Sequence, residues 1–73
     1  MLKTIYSDEH KFTITKLIRA RADAGLSQVE VAALLHKTQS HISKIEAGQR
    51  RIDIAQLKEF ARIFGKPIDY FIR

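Results

Sequence analysis

A chain of 73 residues, 45% of them apolar, with no cysteine and a net charge of +5 makes one small ordered domain without disulfides or thiolate metal sites. No apolar run approaches the ~18 residues of a membrane span, and MLKTIYSDEH lacks the apolar core of a signal peptide, so the expectation is a cytoplasmic protein without a membrane anchor. The charge is uneven: residues 1–35 hold five Lys/Arg and four Asp/Glu, residues 36–73 hold eight and four, and a basic half suits a polyanionic partner.

The single domain, 1–73, opens with a terminal segment, 1–6. Leu2, Ile5 and Tyr6 are apolar there, which leaves a frayed end and a short pairing strand both open. Ser7 is placed to cap a first helix, with Asp8 and Glu9 in its favourable first turn. That helix runs from Asp8 to about Ala24. Ile14, Leu17, Ile18 and Arg21 share one face of it, and Gly25 stops it at the C′ position.

Leu26 to Gly48, LSQVEVAALLHKTQSHISKIEAG, reads as a short helix, a tight turn and a second short helix, 27–46. Ser27 and Glu30 form a capping box, and Leu26 with Val31 a hydrophobic staple. Val31, Ala32 and Leu35 make the apolar stripe. His36-Lys37 breaks the pattern, and Thr38 caps the next helix. At about 100° per residue, Ser40, Ser43, Lys44 and Ala47 fall within roughly 140° of Gln39, while Ile42 and Ile45 point the opposite way. One side is thus anchored in a core, and the other offers an amide, hydroxyls, an amine and a small residue. Such a face fits a DNA major groove, where Gln matches adenine and Lys matches guanine. A plain solvated face reads equally well from this helix alone.

Gly48 to Ile52 is a loop. Asp53 caps another helix, with Gln56 at the capping-box position and Ile52–Leu57 as the staple. Ile54, Leu57, Ala61 and Phe64 recur at helical spacing, and Phe60 widens the stripe. Gly65 ends it, and Pro67 to about Ile72 reads as a last short helix with Pro in its first turn. Tyr70 and Phe71 either close the core or offer aromatic surface to a partner. The sum is an all-α domain of five helices.

The central stretch resembles the helix-turn-helix of the phage-repressor (XRE) family. Leu26-Ser27-Gln28, Glu30, Ala32, Leu35, Ser40, Ile42-Ser43-Lys44-Ile45-Glu46 and Gly48 carry the resemblance, and Leu57, Ala61, Gly65 and Ile68 extend it, so that it covers about Phe12 to Phe71. Two positions depart. The family usually has Gly in the turn, where φ is positive, and this chain has His36, a residue type that tolerates that conformation. The next position is usually apolar and here is Lys37.

The resemblance implies a lambda-repressor-like fold and a sequence-specific transcriptional regulator, a repressor binding a pseudo-palindromic operator in double-stranded DNA as a homodimer. Half-sites then lie about 34 Å apart. It implies base reading by Gln39, Ser40 and Lys44, with Thr38 against a thymine methyl. Gln28 in such domains binds a phosphate and stacks on the residue at Gln39. The loop at Gln49, Arg50 and Arg51 runs along the sugar–phosphate backbone, where guanidinium forks suit phosphate, and Lys37, His41 and Ser43 are further phosphate candidates. Arg21 and Glu46 match positions joined by a partly buried salt bridge. Solvated alternatives remain for Gln28, His41, the loop and the Arg21 and Glu46 charges, and Leu34 is either a lone exposed leucine or part of a partner interface.

Other classes fare less well. His10, His36 and His41 have no metal-ligand spacing, so neither metal nor cofactor is expected. No Gly-x-Ser-x-Gly elbow, phosphate-cradling Gly loop or acid pair suggests an enzyme. The alternatives carried forward are an antitoxin-like module whose main partner is a protein, and a helix-turn-helix retained only for packing.

Overall fold

The computed structural model describes residues 7–72. The reading of residues 1–6 as a frayed end or strand lies outside them. Along the described chain run α1 (Asp8–Asp23), α2 (Gln28–Leu35), α3 (Gln39–Glu46), α4 (Ile54–Phe64) and a 3-10 helix, Ile68–Phe71. The class is all-α. The fifth element is not an α-helix: four residues after Pro67 hold a 3-10 turn, in which Tyr70 N–H donates to the Pro67 carbonyl at 3.0 Å.

Each α-helix starts on a side chain placed to satisfy an otherwise orphaned N–H. Ser7 Oγ accepts from His10 N–H at 3.1 Å, and Thr38 Oγ1 from His41 N–H at 3.1 Å. Ser27 and Glu30 form the reciprocal box, at 3.1 and 2.8 Å. Asp53 and Gln56 form another, at 2.8 and 3.4 Å.

The four helix ends also share one device. Just past each end, two consecutive residues fold back and donate to carbonyls of the last turn, a Schellman motif. Gly25 and Leu26 do so for α1, Gly48 and Gln49 for α3, and Gly65 and Lys66 for α4. At the end of α2 the same role falls to His36 and Lys37, which donate to Ala33 and Ala32 at 3.2 and 2.8 Å. His36 takes φ 58°, ψ 41°, the only positive φ on a non-glycine among the described residues.

Burial follows from these placements. Leu17, Ala20, Val31, Ile42, Ile45 and Phe71 are at most 2% exposed and form the centre, with Leu57, Phe60, Ala61 and Phe64 of α4 beside them. Two stripe residues are not covered. Ile18 is 39% exposed and Ile54 60% exposed. Ile54 is the first residue of α4, one turn ahead of Leu57, where α4 enters the core.

The two aromatic residues near the chain end separate. Phe71 is fully buried, so it closes the core rather than offering a surface. Its carbonyl accepts a hydrogen bond from Thr13 Oγ1 of α1. The Tyr70 ring is half-buried and stands edge-on to Phe71. Lys16 and Lys66 place their ammonium groups over it at 4.8 and 4.7 Å, a cation–π contact from each.

Candidate nucleic-acid interface

The turn between α2 and α3 is three residues, His36, Lys37 and Thr38, and each has a structural duty. His36 and Lys37 terminate α2, and Thr38 starts α3. The left-handed geometry at His36 is what bends the chain. Lys37, an exposed charged residue, stands at the C″ position, where an apolar residue usually packs on the last turn of the helix.

α3 is two-faced. Ile42 and Ile45 are 0% and 1% exposed and fasten it to the core. Thr38, Gln39, Ser40, Lys44 and Ala47 are exposed, while His41 and Ser43 at the borders are half-buried. Beyond the helix, Gln49, Arg50 and Arg51 are exposed in the loop. The exposed side of α3 is thus flanked along the chain by the exposed turn residue Lys37 and by the exposed loop. Arg50 and Lys37 lie near enough to His41 to act on it electrostatically.

His41 responds to that setting. Burial pushes its imidazole below its ordinary range, and the positive charges of Arg50 and Lys37 push it further down. Its Nε2 has no hydrogen-bond partner among the described residues. The ring is therefore held neutral at neutral pH beside two cations.

Behind the exposed face lies a chain of four side chains. Arg21 of α1 donates through Nε to Glu46 Oε2 at 2.6 Å and through Nη2 to Glu46 Oε1 at 3.0 Å. Its Nη1 donates to the Leu26 carbonyl at 2.9 Å. The pair is only 20% and 10% exposed on its side chains, and the Glu46 hydrogen bond holds the guanidinium above its ordinary value. Gln28 Nε2 donates to the same Glu46 Oε1 at 3.0 Å, and Gln28 Oε1 accepts from Gln39 Nε2 at 2.6 Å. The first residue of α3 is thus tied, through the first residue of α2, to the last residue of α3.

The Gln28–Glu46 link and the Arg21–Leu26 bond have no signature in the sequence. Glu46 stands 18 positions from Gln28, on another helix, and only the crossing of α2 and α3 brings them together.

Residues 17–71 match the family model described as helix-turn-helix. The chain belongs to the XRE type of helix-turn-helix proteins. It is 34% identical over 73 aligned residues, spanning 90% of this chain and 72% of the relative, to a protein of Mycobacterium tuberculosis named as a candidate antitoxin, HigA2. Membership makes this a DNA-binding regulator in kind, and gives α3 the place of the helix-turn-helix recognition helix. Among the described residues no helix is long and apolar enough to cross a membrane.

Proposed function

We propose that the protein is a sequence-specific transcriptional repressor, without enzymatic activity, that acts in the cytoplasm and occupies a pseudo-palindromic operator as a homodimer. The observation that carries this reading is the two-faced α3. Its inner side is locked by Ile42 and Ile45, so its outer side is presented in a fixed attitude. Gln39, Ser40 and Lys44 read base edges in the major groove, and Thr38 meets a thymine methyl. Gln28, Lys37, His41, Ser43, Gln49, Arg50 and Arg51 contact phosphates and set register. One eight-residue helix spans few base pairs, so two copies supply the specificity, on half-sites about 34 Å apart.

The relative's name supports a second reading. If this chain resembles an antitoxin in partnership as well as in fold, it also holds a protein encoded beside it, and DNA binding regulates the pair.

Selection of bound duplexes from a random pool by the purified chain, at a stated salt concentration, tests the first reading. A recurring two-fold symmetric sequence is the expected result, and recovery of random duplexes would sink it. Co-expression with the adjacent gene product tests the second. A stable stoichiometric complex supports it, and separate elution of the two proteins rejects it.

A further inference from the structure

We infer that Glu46, which stands behind the reading face, sets the base preference of Gln39 by fixing the direction of two side-chain amides. The inference rests on the reading of α3 as the groove-facing helix.

The chain of constraint begins at the carboxylate. A Glu carboxylate paired with Arg21 has only acceptor oxygens. Glu46 Oε1 therefore requires a donor from Gln28, and the Gln28 NH2 group must be the end that faces it, at 3.0 Å. That leaves the Gln28 Oε1 facing α3. An oxygen there requires a donor in turn, so the NH2 of Gln39 is drawn inward, at 2.6 Å. The amide directions, which are otherwise interchangeable, are dictated by the charge at the end of the relay.

The outcome is specific. Of the Gln39 amide, one N–H is engaged by Gln28. One N–H and the Oε1 remain, on an exposed side chain. One donor beside one acceptor is the complement of adenine, whose N7 accepts and whose N6 amino group donates. Guanine presents two acceptors, N7 and O6, at the same edge. Gln39 would match it only by offering both N–H groups, which requires its Oε1 to turn inward and Gln28 to reverse. Glu46 forbids that reversal. Adenine is thus selected over guanine by a residue that touches no base, and Glu46 is a positioning residue.

The test measures relative affinities for duplexes that carry adenine or guanine at one pair of the operator. That pair is the one at which Gln39→Ala abolishes preference in the wild-type background. A bidentate match corresponds to about 5- to 150-fold discrimination, and the wild type should favour adenine within that range. Glu46→Gln presents an amide that is able to donate to Gln28, so both relay directions become available and the ratio should fall to within about twofold of unity. Gln28→Met cuts the relay while leaving the Arg21–Glu46 pair in place, and should remove the discrimination as well. It decides the matter if Glu46→Gln does not fold. A purely structural role for Glu46 would weaken binding to both duplexes by one factor and leave their ratio unchanged. An unchanged ratio in the variants, or a wild type that favours guanine, overturns the inference. A wild type with no preference at any position sinks instead the reading of α3 on which it rests.

Discussion

Thr13 and Phe71, 58 positions apart, are joined by a buried hydrogen bond of 2.7 Å from the threonine hydroxyl to the phenylalanine carbonyl. Thr13 is the one buried polar residue among those described, and its bond holds the 3-10 helix against α1. Thr13→Val keeps the shape and removes the donor. The Phe71 carbonyl then stays buried without its partner, at a cost of about 1–3 kcal/mol. Urea unfolding monitored by circular dichroism should show a lower midpoint with an unchanged slope.

His36 sits in the left-handed region at φ 58°, a conformation that costs a non-glycine residue about 1–2 kcal/mol. His36→Gly removes that strain but loosens the unfolded chain, an opposing effect of about 0.5–1 kcal/mol. The net expected gain lies between zero and about 1.5 kcal/mol, at most several degrees in Tm for a domain of this size. Gly65→Ala should act oppositely. Its φ is 68° with nothing within 4 Å of an added Cβ, so its cost is conformational strain alone. Calorimetry of the two variants checks both signs.

Two classes of interface mutant should separate in binding assays. Lys44→Ala removes a group from the exposed side of α3 and should cost about 1–3 kcal/mol on the operator, relaxing preference at one base pair per half-site. Arg50→Ala removes a loop cation and should weaken operator and random duplex by similar factors. It should also make the plot of log K against log salt shallower by about 0.9 for each phosphate that the arginine had neutralised. If Arg50 instead governs base preference while Lys44 is neutral, the loop is the reading element.

His41 should give DNA binding a pH dependence if it meets a phosphate as proposed. Its folded value lies below the ordinary one, through burial, Arg50 and Lys37, so the free protein binds fewer protons here than the unfolded chain does. Stability from this group is therefore fully present above about pH 6.5, the unfolded value, and is lost as pH falls below it. A phosphate beside the ring has the opposite effect, because it favours the imidazolium. Binding then takes up as much as one proton per subunit, and affinity for DNA should rise as pH drops from about 7.5 towards about 6. Titrations in parallel with His41→Gln, which should flatten that rise, isolate this histidine from the other two.

Local features of the fold were legible in the chain, and features made by helix crossings were not. Ser7, Ser27, Thr38 and Asp53 act as N-caps because a cap is a contact three residues long, written in adjacent letters. The inward Ile42 and Ile45 and the outward Gln39, Ser40 and Lys44 follow from the roughly 3.6-residue period of a helix. Ile18 and Ile54 have the right period but remain exposed, since coverage depends on which element arrives opposite. The short span after Pro67 forms a 3-10 helix, a choice that side-chain pattern does not distinguish from an α-turn at that length. The Gln28–Glu46 and Thr13–Phe71 bonds span 18 and 58 positions and exist only once helices have met.

The shared way in which these helices end decides where the chain has room to grow. Between α1 and α2, Gly25 and Leu26 bond back to the first helix and Ser27 begins the second. Between α2 and α3, His36, Lys37 and Thr38 divide the same work. Gly65, Lys66 and Pro67 fill the span before the 3-10 helix. An inserted residue in any of these joints displaces a hydrogen bond that terminates or starts a helix. After α3 the chain differs: Gly48 and Gln49 complete the helix end, Asp53 starts α4, and three residues lie between. Extra length added directly after Gln49 leaves the bonds that end α3 and those that start α4 in place, whereas at the other joints it displaces one of them. Variants with two added residues at each place would rank the four joints by how much of the domain survives.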